Sequence, residues 1–174
     1  MAWIVKNSAE MKIERRETPY LDDDMKVALA EKYFPRYPKR QAASLPVLHA
    51  IQERYGYLPH QAIEEAAAFL GVPSSQMLDT ATFYEEYFLK PVGKYVIWVC
   101  QSVACEIMGE AGLTAKLKNK LGVEPGETTA DGRFTLMKAE CLGACGGAPA
   151  CLVGHHLHEN VEWDQLEKVL DKLD

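Results

Sequence analysis

Two pairs of cysteines, Cys100-x4-Cys105 and Cys141-x3-Cys145, constrain this chain more than any other feature. Thirty-five residues separate them, and each pair begins where a predicted strand ends. "KYVIWVC" is rich in β-branched and aromatic residues and reads as a buried strand ending at Cys100. "RFTLMKAEC" reads as a second strand, ending at Cys141 after a turn at Asp131-Gly132. If a helix between them carries the chain from one strand to a parallel neighbour, both pairs emerge at one edge of the sheet. Four thiols can then converge from two loops on a single site.

The spacings favour some occupants over others. Structural zinc usually takes Cys-x2-Cys knuckles, although x4 is tolerated. A two-iron cluster has two tetrahedral centres and accommodates longer spacings, and Cys-x4-Cys also occurs in plant-type ferredoxins. No Cys-x-x-Cys dithiol is present, which weighs against a thioredoxin-type disulfide exchanger acting through Cys141 and Cys145. Pairings of Cys with His at the short spacings of mixed cluster ligation are absent too. Gly143, Gly146 and Gly147 surround Cys145 and let the backbone wrap closely around a ligand. A [2Fe–2S] cluster fits best, with a zinc-stapled interaction module and unligated thiols as the alternatives.

Composition narrows the class of protein. The 174 residues are enough for a real core, so disulfides are not needed to keep the chain folded. A formal net charge of −6 argues against nucleic acid as a partner. No stretch approaches the ~20 apolar residues of a membrane helix. The start is charged apart from the short run at residues 2–5, too short for the apolar core of a secretory signal. A reducing compartment is expected, where clustered cysteines serve metals or redox chemistry more often than disulfides.

The first half reads as helices. "DDDMKVALAEKYFPRYP" opens with acids suited to a helix N-terminus and stops near Pro35 and Pro38. Leu45, Leu48, Ile51 and Tyr55 make one apolar stripe, and Ile63, Ala67 and Leu70 another, closed by Gly71 and Pro73. Ser74 or Ser75 is placed to cap a further helix leading into "MLDTATFYEEYF". After residue 92 the pattern becomes β-α-β-loop-β-β-α. Its first helix is expected from about 106 to 121, with Leu113, Leu117 and Leu121 on one stripe, and its last over "VEWDQLEKVLDKL" is expected to be capped by Asn160. Two domains are therefore expected: a helical segment, 1–92, and an α/β domain, 93–174.

The motifs "VCQSVACEIMG", "GETTADGRFTL" and "ECLGACGGAP", in that order, resemble the small thioredoxin-like [2Fe–2S] subunit (NuoE type) of the NADH-oxidising module of respiratory complex I. "IQERYGYLP" and "ATFYEEYF" in the helical half are similar to it as well. The resemblance covers nearly the whole chain and implies an α+β fold: a helical bundle segment followed by a thioredoxin-like [2Fe–2S] ferredoxin domain with a small mixed sheet. It implies that Cys100, Cys105, Cys141 and Cys145 hold one [2Fe–2S] cluster. It further implies an electron-transfer subunit of NADH:quinone oxidoreductase, not catalytic alone, whose cluster exchanges single electrons with a flavin. FMN and NADH would lie on a larger flavoprotein subunit with its own iron–sulfur cluster, not on this chain. Other peripheral-arm subunits would be further partners. The assembly would sit on the cytoplasmic side, with no membrane insertion by this subunit. NAD-linked hydrogenases and formate dehydrogenases use equivalent subunits, so the parent complex stays open. The residues agree with such a division of labour: there is no G-x-G-x-x-G after a strand and no P-loop.

Other residues invite functional readings but have plainer ones. Cys151 lies in a predicted strand, "PACLVG", and reads as a small buried hydrophobe rather than a fifth ligand. His155, His156 and His158 read as turn residues, since no matching ligand spacing surrounds them. His49 and His60 stand alone in helical segments. The aromatics of "TFYEEYF" read first as core, with a partner-facing role for some as the alternative.

Overall fold

The structure, a computed structural model, describes residue 13 and residues 15–174; the apolar run at 2–5 lies outside the described residues. The chain divides into two compact units, Met1–Pro91 and Val92–Asp174.

The first unit is built from four α-helices: α1 (Asp23–Tyr33), α2 (Ser44–Tyr55), α3 (His60–Leu70) and α4 (Ser74–Phe83). The acidic run starts α1 as the sequence suggests. The Asp22 carboxylate accepts a hydrogen bond from the Met25 N–H at 2.9 Å, and Asp23 and Asp24 occupy the first turn. Gly56 and Gly71 close α2 and α3 in the left-handed conformation, from which an ordinary residue would not exit cheaply. The core is Val47, Leu48 and Ile51 from α2 against Ala62, Ile63, Ala66 and Ala67 from α3, with Met77 and Ala81 from α4. Alanines on the inner face of α3 let its neighbours approach closely. Beyond α4 the chain is tied back to α2 by side chains: the Gln52 amide donates to Glu86 O at 2.6 Å and accepts from Phe88 N–H at 2.8 Å, and the Tyr87 hydroxyl donates to Leu45 O at 3.0 Å.

Two expectations fail in this unit. No serine caps α4; Pro73 takes the N-cap position, its ring fixing φ at −60°, and no side-chain cap bond is made. The helix also ends at Phe83, because Tyr84 is extended with ψ of 124°.

The second unit is a four-stranded mixed sheet in the order β2-β1-β3-β4 with helices α5 to α7. Strand β1 (Tyr95–Cys100) runs parallel to β2 (Phe134–Ala139), in a register that sets Ile97 beside Leu136 and Cys100 beside Ala139. Strand β3 (Cys151–Val153) returns antiparallel on the other side of β1, and β4 (His156–His158) forms a hairpin with it. Alternation along β1 sends Ile97 and Val99 to one face. There they join Leu136, Cys151 and Val153 under Leu113 and Leu117 of α6 (Glu110–Leu121) and Leu166 and Leu170 of α7 (Trp163–Asp171). Leu117 and Leu136 are fully buried, each worth about 1.5–3 kcal/mol relative to exposure.

The single helix expected over 106–121 is broken. A short α5 (Val103–Ile107) is followed by Gly109 at φ +100°, and α6 starts afresh at Glu110. A left-handed residue redirects the chain, and only glycine takes it without strain. Strand β2 stops at Ala139, two residues short of Cys141. Asn160 does not cap α7; it is itself left-handed at φ 47°, and Glu162 precedes the helix without a side-chain cap bond.

Candidate metal centre

The parallel pairing of β1 and β2 determines where the cysteines go. Cys100 is the last residue of β1, and its register partner Ala139 is the last of β2. Gln101 N–H donates to Ala139 O at 2.9 Å, carrying the ladder one step further. Cys105 follows on α5, while Cys141 and Cys145 follow β2 on a loop that turns left-handed at Gly143 (φ +75°). Cys145 opens a 3₁₀ turn, Cys145–Gly147. All four thiols therefore reach the same end of the two strands, from two loops. The loops are linked beside the ligand positions, where the Gln101 side-chain amide donates to the Glu140 carboxylate at 2.8 Å.

The two sides of the site differ in environment. Cys100 and Cys105 are 2% and 1% exposed, whereas Cys141 and Cys145 face solvent. Around the buried pair lie Ala104, Leu142, Ala144, Ala148 and Ala150, small apolar groups that exclude water without competing for a ligand. Backbone donors face the sulfurs. Gly143 N–H points at Cys141 Sγ at 3.3 Å. Burial pushes the Cys100 thiol up, but N–H groups of Ser102 and Leu142, with the Cys105 and Cys141 thiols, outweigh it and bring the pKa down. Cys105 goes the other way: burial raises it, the Ala150 N–H opposes, and the neighbouring sulfurs Cys100 and Cys145 raise it further. One proton is thus held less tightly than the other, as expected where several thiols crowd one place.

The donor set suits a binuclear iron–sulfur group. The sulfurs neighbour one another in pairs, Cys100 with Cys105 and Cys141, and Cys105 with Cys145. A two-iron cluster asks for only two thiolates at each iron, and backbone N–H groups directed at sulfur stabilise its negative charge.

The thioredoxin-like [2Fe-2S] ferredoxin family model matches residues 30–174. The chain belongs to this family. Among curated relatives, the second E-type subunit of NADH-quinone oxidoreductase from Rhizobium meliloti (strain 1021) is 40% identical over 136 residues, 78% of this chain and 81% of the relative. The E-type subunit of the Escherichia coli (strain K12) NADH-quinone oxidoreductase is 39% identical over 136 residues, 78% of this chain and 82% of its own length. Its counterpart in Pseudomonas aeruginosa is 39% identical over 135 residues, 78% of this chain and 81% of the relative. Among solved structures, an NAD+-reducing [NiFe]-hydrogenase in the air-oxidized state superposes with a TM-score of 0.64 at 26% identity. The match takes in 79% of this chain and 24% of the hydrogenase chain, so this chain spans about a quarter of that one. The H2-reduced state of such an enzyme gives a TM-score of 0.63 over 73% of this chain and 22% of the hydrogenase chain.

The remaining cysteine and the histidines fall elsewhere. Cys151 sits on β3 opposite Val99, on the helix-covered face, whereas Cys100 points to the other face of β1. It is fully buried, and burial alone pushes its thiol up to about 12. His155 and His156 are exposed and His158 is half-buried. His49 and His60 are exposed helix residues, His49 with its ring 5.0 Å from that of Tyr87 and His60 with Nδ1 3.5 Å from Glu64. The aromatic run divides: Tyr87 is buried and its hydroxyl donates to Leu45 O at 3.0 Å, but Phe83 is 78% exposed.

Sequence reasoning passed over the surface of α5. Val103, Ile107 and Met108 are 69%, 78% and 59% exposed and flank Cys105. The signal was present in "VACEIM", where Val103 and Ile107 stand four apart and share a helix face that does not face inward. No helix among the described residues is long and apolar enough to cross a membrane.

Proposed function

We propose that this chain is the NuoE-type electron-transfer subunit of an NADH:quinone oxidoreductase, with Cys100, Cys105, Cys141 and Cys145 holding one [2Fe–2S] cluster. The observation that carries this is the convergence of the four thiols at the end of the parallel strands β1 and β2. When bound, the cluster supplies one-electron storage and release. The chain's own residues do the rest. Cys100 and Cys105 anchor the inner side in an apolar, water-excluding setting, and Cys141 and Cys145 hold the outer side at the surface. The N–H groups of Ser102, Leu142, Gly143 and Ala150 face the sulfurs and favour their thiolate charge.

Electrons come from outside this chain, from a flavoprotein subunit that carries FMN, binds NADH and has its own iron–sulfur cluster. The exposed thiols and the apolar surface of Val103, Ile107 and Met108 form the side from which such a partner reaches the cluster. Further peripheral-arm subunits complete the assembly, on the cytoplasmic face of the membrane. A second parent complex has an observation in its favour: the likeness to NAD+-reducing hydrogenase supports an equivalent role in an NAD-linked hydrogenase.

The test is NADH reduction of the cluster, followed by its visible and paramagnetic-resonance spectra. The chain alone should stay oxidised with NADH and become reduced once the flavoprotein partner is added. Direct reduction of the isolated chain by NADH, or no reduction with the partner present, contradicts the proposal.

A further inference from the structure

Glu110 is 4% exposed, a buried carboxylate at the first position of α6. Burial of a charge is costly unless it is paired. A glutamate at a helix N-terminus needs no burial to interact with the helix dipole, so its location asks for another explanation. Its oxygen Oε1 accepts the Thr114 hydroxyl one turn along and lies 3.2 Å from Lys138 Nζ. This is the only ion pair of Glu110 among the described residues.

The placement of the two partners is specific. Lys138 is the register partner of Val99, on the face of the sheet that α6 covers, and stands three residues before Cys141. Strand spacing and rise put its Cα about 6 Å from that of Cys100. Glu110 follows Cys105 by five residues, across the left-handed turn at Gly109. One partner therefore sits on the segment carrying Cys100 and Cys105, and the other on the segment carrying Cys141 and Cys145. Gln101 and Glu140 join the same two segments on the outside of the site. Glu110 and Lys138 join them where α5 gives way to α6, on the helix-covered face of the sheet, the face opposite the one to which Cys100 points.

We infer that Glu110 and Lys138 are positioning residues: a charge-balanced brace that ties the two ligand-bearing segments together and holds the cluster's reduction potential at its native value. This rests on the proposed [2Fe–2S] site. Reduction adds a negative charge to the cluster, so a nearby unbalanced cation favours the reduced state and an unbalanced anion the oxidised state. With both partners present the two effects offset.

The experiment is an anaerobic redox titration of the full chain with its cluster, comparing wild type with Glu110→Gln, Lys138→Gln and the double variant. Glu110→Gln keeps the size of the side chain and one acceptor oxygen for the Thr114 hydroxyl but leaves Lys138 unbalanced. It should shift the one-electron equilibrium toward reduction by about three- to tenfold, a tenfold change being 59 mV. Lys138→Gln should shift it toward the oxidised side, and the double variant should return to the wild-type potential. A role in packing alone predicts cluster loss or lower stability in the variants, without opposite signs and without recovery in the double. Where Glu110→Gln retains no cluster, Lys138→Gln decides: a potential equal to wild type overturns the inference. A wild-type chain without iron and sulfide defeats both this and the proposed function. A cluster whose potential ignores all three variants defeats this alone.

Discussion

Two adjacent glycines in the cluster loop should respond unequally to the same substitution, one destabilised and the other unaffected. A Cβ on Gly147 would fall 2.6 Å from Glu159 Cβ and 2.9 Å from its Cδ, about 1 Å inside ordinary carbon–carbon contact. The Glu159 carboxylate can swing away, but its Cβ is fixed to the backbone. Relief therefore requires the 159–161 segment to move, and that segment is bonded to the loop: Asn160 N–H donates to Gly147 O at 2.6 Å and Val161 N–H to Pro149 O at 3.0 Å. Overpacking costs about 1–3 kcal/mol, and weakening one hydrogen bond adds about 0.5–1.5 kcal/mol. Gly147→Ala should thus destabilise by about 1.5–4.5 kcal/mol. At roughly 2–4 °C per kcal/mol for a chain of this size, Tm should fall by about 3–18 °C. A Cβ on Gly146 meets nothing within 4 Å, and its φ is not left-handed, so Gly146→Ala should stay within about 0.5 kcal/mol of wild type. Thermal or urea unfolding of the two variants measures this directly. Equal stability of the pair would refute the packing argument.

Other substitutions separate ligands from bystanders. Cys141→Ala should abolish the intact cluster while far-ultraviolet circular dichroism keeps the helical signal of the first unit; undiminished cluster content would remove Cys141 from the ligand set. Cys151→Ala should leave the cluster spectrum unchanged at a stability cost on the order of 1 kcal/mol, and in the native chain Cys151 should resist alkylation because its thiol is buried and pushed up to about 12. A changed cluster spectrum in that variant would contradict the packing role. Acid should weaken the fold through named groups. The Met25 N–H, then Arg54, holds the Asp22 carboxyl below the ordinary range, and the Thr129 hydroxyl, then the Arg133 N–H, does so for Asp131. Lowered folded values contribute stability above the unfolded value of about 3.9 that is lost as pH falls through the folded values. Asp22→Asn should therefore lose less Tm than wild type between pH 6 and pH 3, and an identical loss would contradict the assignment.

The sequence made the site more legible than its surroundings. The two strands were legible from apolar runs leading up to cysteines. Convergence of Cys100, Cys105, Cys141 and Cys145 was conditional on a parallel pairing, because strand direction dictates where the following loops emerge, and that pairing is the one the structure has. Helix ends were less legible. Ser74 and Asn160 are good caps by residue type, yet Pro73 and Glu162 occupy those positions, since the path of the entering chain decides the cap. One helix was expected over about 106–121, but Gly109 takes φ +100° and α6 starts afresh after it. Gly147 was expected to admit a ligand, whereas its missing Cβ makes room for Glu159. The Glu110–Lys138 pair had no sequence signal at all, because twenty-seven intervening residues and a strand register bring it together.

The central claim is that these four thiols hold a binuclear iron–sulfur cluster. Its most direct test is a joint assay of iron, zinc and acid-labile sulfide on one anaerobically purified sample of the full chain. The account predicts about two irons and two sulfides per chain with little zinc. About one zinc and no sulfide would make the thiolates a structural staple and contradict the electron-transfer role.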